Sequence, residues 1–257
     1  MISIKNTENL TGVTISGDFD DLYNLVDAFY EITLNEDSIK YREYIDVSTR
    51  LLGVCYDIRH AFQGDREIAF VDNHLSKETM EWHGIVAPEK NVYYQCNCLY
   101  PEMIFGMIVI NELIDVRMKI LTKKNYLYGN DYKDKSIIWD KTIITLRGFQ
   151  CAFAECMKET FSPNLYSRWL NTINAPFIST ASITGQYIDT INIEYINMTK
   201  EKRLKSITKI TKRIANFWSD DKYHEVKRII SQAAKEYKCS EYDIRLTSVD
   251  YPDEIEW

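Results

Sequence analysis

The strongest restriction on how this chain can fold lies over 102–121, where Met103, Ile104, Phe105, Met107, Ile108, Val109 and Ile110 leave the first half of a helical stretch with almost no polar side. A helix with one apolar stripe can rest on a surface, whereas one that is apolar all round has to be enclosed. The stretch therefore predicts a central buried helix, opened by Pro101 at its first turn, where the missing N–H is not needed. The other elements must form layers around it. Its apolar run, Met103 to Ile110, is the nearest the chain comes to the roughly 18 apolar residues of a membrane span. No span and no membrane partner are expected.

Around that helix the N-terminal half reads as mixed. Short β-like runs at 2–5 and 13–16 allow a hairpin, and Gly17-Asp18 offers a turn and a helix cap. Leu22, Leu25, Val26, Phe29 and Ile32 then follow at amphipathic spacing. A second helix is expected over 41–62, from Tyr44, Val47, Leu51, Val54, Cys55, Ile58 and Phe62 on one face. A strand at 67–71, a helical turn at 76–82 capped by Ser76, and a strand at 91–100 complete this half. Helices are expected near 137–160, 163–173, 185–198, 200–218 and 221–237, with a last strand at 244–249. The fold class is α+β and predominantly helical, with a small mixed or antiparallel β element in the N-terminal half and a helical C-terminal half. Parts 1–122 and 136–257 are expected to pack as one unit, joined by a polar linker near 123–135 that contains Gly129-Asn130.

Hydrophobic residues make up 45% of the 257 positions and charged residues 27%, so a self-sufficient core is within reach. The first ten residues lack the order of a secretory signal. The six cysteines, Cys55, Cys96, Cys98, Cys151, Cys156 and Cys239, follow no framework spacing. Reduced thiols and a cytoplasmic location are the expectation. A net charge of −7 argues against a surface built throughout to coat nucleic acid.

The stretches TGVTISGD (11–18), GVCYDIRHAFQGDREI (53–68), PEKNVYY (88–94) and SEYDIRL (240–246) resemble those of a bacterial family catalogued only as a domain of unknown function. The resemblance covers most of the chain. It implies a bacterial cytoplasmic protein and brings no assigned catalytic residue with it.

The densest polar run is Asp57, Arg59, His60, Gln63, Asp65, Arg66 and Glu67. Arg50, Gly53, Asp57 and His60 step by three, four and three, which places them on one helical stripe opposite the apolar face. A glycine inside a helix costs about 0.5 to 1 kcal/mol against alanine, so Gly53 points to a ligand or another backbone close to the stripe. Asp57 beside His60 would orient the imidazole and favour its charged form. The competing account is a solvated helix face, or an Asp–His–Arg network that only fixes the turn at 63–66.

Other constellations point less sharply to chemistry. His60, His74 and His83 precede Cys96 and Cys98 at spacings that fit no zinc pattern, and two cysteines alternating on a strand face one side and fill a core. No metal is expected. Thr11-Gly12 and Ser16-Gly17-Asp18 suit ordinary capping better than anion binding, because Asp18 would repel phosphate. Over 200–213 seven basic residues stand against Glu201. Lys202, Lys205, Lys209, Lys212 and Arg213 form a face able to hold nucleic-acid phosphates, the four lysines being the candidate contacts, opposite Leu204, Ile207, Ile210, Ile214 and Phe217. A solvated face paired with the acidic segment 241–257 is the favoured account of it. Tyr93, Tyr94, Tyr126, Tyr128 and Tyr132 are candidates for a partner surface.

The leading functional expectation is a non-catalytic or regulatory binding protein that self-associates. It would recognise a small anionic ligand or a protein partner through the Arg50, Gly53, Asp57 and His60 stripe, with Arg59, Asp65, Arg66 and Glu67 as further ligand-binding candidates. The alternative is a hydrolase, metal-assisted or metal-independent, acting on a nucleotide or RNA. There His60 is the acid or base, Asp57 its orienting partner, and Arg50 or Arg66 stabilises anionic charge. No cofactor is expected.

Overall fold

The computed structural model describes residues 1–33, 41, 44–123, 133–174, 183–247 and 251–257. β1 (Ser3–Asn6) and β2 (Gly12–Gly17) form the expected hairpin, and β3 (Glu67–Asp72) and β4 (Lys90–Leu99) complete a sheet of order β1-β2-β4-β3, antiparallel throughout. The register places Ile4, Ile15 and Cys96 side by side on the helix-covered face, and Lys5, Thr14 and Asn97 on the other. Cys96 and Cys98 are buried on the covered face, as their alternation requires. Gly12 cannot be replaced where it stands, since a Cβ would lie 1.9 Å from the Cys98 carbonyl oxygen.

The helices follow the apolar periodicity closely. α1 (Phe19–Ile32) starts on a capping box in which Asp18 accepts from the Asp21 N–H at 2.8 Å, so capping is what that segment does. α2 (Ile45–His60) ends in a π-helical turn, Ala61–Asp65, where Gly64 takes φ +89°; that left-handed bend lets the chain swing from helix into β3. α3 (Lys77–His83) is capped by Ser76. α4 (Tyr100–Thr122) is the central helix, with Met103 to Ile110 and then Leu113, Ile114 and Val116 all buried.

Beyond it come α5 (Lys135–Ile138), α6 (Lys141–Thr160), α7 (Pro163–Ile173), α8 (Ile183–Ile196), α9 (Lys200–Ala215) and α10 (Asp221–Tyr237). One hydrophobic core runs through both halves, from Val13 and Leu22 to Ile214 and Ile230.

Three expectations need correcting. The helix at 137–160 is two, because Arg117 grips Asp140 with two bonds of 2.9 and 2.8 Å while Asp140 caps α6. The helix at 200–218 stops at Ala215 and continues as a 3₁₀ turn, Phe217–Ser219. Residues 244–247 of the last strand are not a strand. The Gln186 side chain takes the place of a pairing strand there, donating to the Ile244 carbonyl at 2.9 Å and accepting from the Leu246 N–H at 2.8 Å. The positions 248–249 of that strand, the linker positions 124–132 and Tyr126, Tyr128 and Tyr132 lie outside the described residues.

Candidate functional site

The polar stripe of α2 meets a cleft of about 590 Å³, within the size range of small-ligand sites. One wall is α2 at Gly53, Val54 and Asp57. The floor is five consecutive residues of β4, Gln95 to Leu99, with Arg66 and Glu67 at one end. Glu102 of α4 and Asn192 of α8 form the back, and Tyr251, Ile255 and Trp257 of the C-terminal segment close the far side. That segment is tied down: the Trp257 carbonyl accepts from the Asn9 N–H at 3.2 Å and from its side-chain amide at 3.0 Å. Arg203, 5% exposed, secures the same corner by donating to the carbonyls of Asn9, Tyr195 and Ile196 and to the Thr11 hydroxyl.

Arg50 sits beneath the back wall. Its Nε donates to Glu102 Oε1 at 3.0 Å, and one terminal nitrogen donates to Glu102 Oε2 at 2.6 Å and Asp189 Oδ1 at 2.9 Å. The other donates to the Gly185 carbonyl at 2.8 Å. Burial works against the guanidinium, yet Glu102 and Asp189 outweigh it and hold it more firmly protonated than a free arginine. Asn192 donates to Glu102 Oε2 at 3.0 Å and to the Tyr251 hydroxyl at 2.9 Å, and Tyr251 donates to Asp189 at 3.0 Å. Flipping the Asn192 amide would set its oxygen against the Glu102 carboxylate, so this orientation is the right one. It leaves Asn192 Oδ1 buried and without a partner among the described residues.

The structure divides the predicted stripe. Gly53 and Asp57 line the cleft, and Arg50 supports it from behind. His60 is not in the lining. Its Nδ1 pairs with Asp65 at 2.7 Å and its ring rests 4.1 Å from that of Tyr56, while Asp57 accepts from Arg66 at 2.9 Å. The expected Asp57–His60 pair is thus replaced by two others, because the π-helical turn folds Asp65 and Arg66 back over the end of α2. Arg59 points elsewhere, donating to the Tyr30 hydroxyl at 3.0 Å. A Cβ on Gly53 would meet nothing within 4 Å. The neighbour expected there from the sequence is open cleft.

Charge in the lining is uneven. In the lining Asp57 is paired with Arg66 and Glu102 with Arg50, which it shares with Asp189, while Glu67 has no ion-pair partner among the described residues. The hydrogen bond from Arg66 to Asp57 also raises the arginine's affinity for its proton. Burial, reinforced by Asp57, pushes the Cys96 thiol up to about 12. Burial likewise raises the Cys98 thiol well above its ordinary value, with Glu102 next in importance, so neither thiol offers a thiolate at neutral pH.

The residues that sequence reasoning missed are Glu102, Asn192, Tyr251 and the β4 edge. Glu102 carried a signal: it is a lone acid in the helical turn that opens an otherwise apolar run. The others come together only through packing.

The remaining candidates lie apart. His74 sits in a turn with φ +62°, and His83 ends α3. Among the described residues no three His, Cys, Asp or Glu side chains converge as a metal-ligand set. Lys202, Lys205, Lys209 and Lys212 are exposed along α9. Among the described residues no ion pair joins them to the acidic segment 241–257, whose Glu241 accepts from Ser231 instead. Ile207, Ile210 and Ile214 are buried as expected, whereas Leu204 is 41% exposed. Arg213 does not belong to the solvated face, because it is bound to Glu194 and Asp220. No curated protein and no solved structure was found to match the chain. A family model described as Domain of unknown function (DUF6904) matches residues 2–257, and the chain belongs to that family.

Proposed function

We propose that this is a binding or regulatory protein whose recognition site is the cleft between α2, β4 and the C-terminal segment. The observation that carries the reading is the charge balance at the cleft: Asp57, Glu67 and Glu102 in the lining and Asp189 behind it are met only by Arg66 and Arg50, which leaves an excess of two negative charges, beside a buried amide oxygen with no donor among the described residues. Such a site suits a ligand that brings positive charge or hydrogen-bond donors, and it fits the anionic ligand expected from the stripe poorly. Hydrolysis is less well supported, since His60 stands outside the lining and the thiols inside it are held protonated.

Spermidine and inorganic phosphate serve as opposite probes in calorimetry at low and high salt. Saturable spermidine binding that weakens with salt, and that falls several-fold in Glu67→Gln, is the expected result. Phosphate binding without spermidine binding would overturn it. The self-association expected from sequence has a surface to use: Ile68, Phe70, Trp82 and Val86 of the β3–β4 arm are 46, 66, 83 and 102% exposed, and such patches mark interfaces. Sedimentation as a function of concentration tests that. A cytoplasmic bacterial setting accords with the family resemblance and with six free thiols.

A further inference from the structure

The cleft floor consists of consecutive residues, Gln95, Asn97 and Leu99 together with Cys96 and Cys98. A strand seen face-on contributes alternate residues, so five in a row means that β4 meets the cleft edge-on. The pairing explains why. β2 runs beside β4 from Tyr94 to Leu99, but β3 begins at Glu67 opposite Gln95 and never reaches Cys96 to Leu99. The Tyr100 N–H donates to the Thr11 carbonyl at 3.2 Å. Antiparallel hydrogen bonding alternates, so Cys98 and Cys96 also bond toward β2, and Asn97 and Leu99 turn their main-chain groups to the other side. The same alternation holds on the β3 side, where the Asn73 N–H donates to the Glu89 carbonyl at 3.3 Å. Asn97 thus presents an N–H and a C=O, and Leu99 an N–H, along an edge about 13 Å long that no strand among the described residues pairs.

Resting on the reading of the cleft as a cation-accepting site, we propose that its occupant is an extended peptide segment of a partner protein, added to β4 as a strand in line with β3 and carrying lysine or arginine. One peptide residue exchanges two hydrogen bonds with Asn97, and a neighbour accepts from the Leu99 N–H. Directly opposed residues share a face of the sheet. The residue opposite Asn97 therefore sends its side chain to the open face, and the residues flanking it send theirs to the covered face. On that covered face Asp57, beside Cys96, already holds Arg66, whereas Glu102, beside Cys98, shares Arg50 with Asp189 and leaves one negative charge uncompensated, so a basic side chain belongs at the flanking position opposite Cys98. Unprotected edges are where other chains pair, and this one is set in a charged cleft that selects what may pair.

The test uses the whole protein and a pool of acetylated, amidated hexapeptides alternating valine or threonine with lysine or arginine. Fluorescence polarisation should show binding at least tenfold tighter than that of spermidine, and exchange of the Asn97 and Leu99 amide protons should slow by tenfold or more. N-methylating the peptide at alternate bonds, which removes its donors and leaves its charge, should cost tenfold or more. Asn97→Pro should fold, because the lost N–H faces no strand, and should lose the peptide. If that variant fails to fold, the N-methylated pool decides. Equal binding of methylated and unmethylated peptides, or amide protection elsewhere in the fold, would overturn the strand-addition proposal and leave the cation-binding reading standing. Failure of peptide and spermidine together would remove both.

Discussion

Replacing Gly53 separates the cost of the cleft to folding from its use. Gly53 lies in the third turn of α2, exposed, with a helical backbone and nothing within 4 Å of an added Cβ. Gly53→Ala should therefore recover the helix-interior penalty of about 0.5 to 1 kcal/mol. For a chain of this size that is a rise in Tm of about 1 to 4 °C. Gly148 of α6 is also exposed with nothing near its Cβ, so Gly148→Ala should rise by a similar amount. Gly53→Leu should stay as stable as the parent yet lose spermidine binding, because its side chain projects into the cleft, whereas Gly148→Leu should keep binding. Calorimetric melting followed by titration measures both. A lower Tm for Gly53→Ala beside a higher one for Gly148→Ala would show that something packs closely on Gly53, and that the open cleft is wrong.

Arg50→Met leaves Glu102 and Asp189 facing each other half-buried and should cost about 3 to 5 kcal/mol in urea unfolding, while Arg66→Ala, breaking an exposed pair, should cost about 0 to 1 kcal/mol; equal losses would deny the Arg50 network its structural role. Ile210→Ala should cost about 2 to 5 kcal/mol and Lys209→Ala almost nothing, since Ile210 is 2% exposed and Lys209 faces solvent. Burial pushes the Asp140 carboxyl up, but the bonds from Arg117 and the Ile143 N–H outweigh it and hold it below its usual 3.8. Its contribution is then fully present above pH 3.8 and is lost as the pH falls through the lowered folded value, so Asp140→Asn should flatten the acid limb of the stability profile. A thiol reagent should modify Cys151 and Cys239 rapidly in the native protein and the four buried cysteines only after unfolding; burial lifts Cys55 and Cys156 to about 11. Fewer than six thiols in unreduced, unfolded protein would show a disulfide.

Local pattern and tertiary contact divide this protein between them. Residue order alone determined the enclosed helix after Pro101, the caps at Asp18 and Ser76, the inward cysteines of β4 and the buried isoleucines of α9, because each follows from a period of two or 3.6 and its neighbours in the chain. It also marked Gly53 and Asp57 as lying on a polar stripe that needed a reason. Only the folded chain decided which partner each charge takes. Asp65 reached His60 and Arg66 reached Asp57 because Gly64 bends the backbone through a left-handed turn, a geometry no helical wheel contains. Glu102, Asn192 and Tyr251 lie 90 and 59 residues apart along the chain and are joined by hydrogen bonds, so no local pattern could bring them together. The free edge of β4 was equally hidden in the sequence. It exists because β3 is six residues long and β4 ten, and where the shorter strand stops depends on the turn that feeds it.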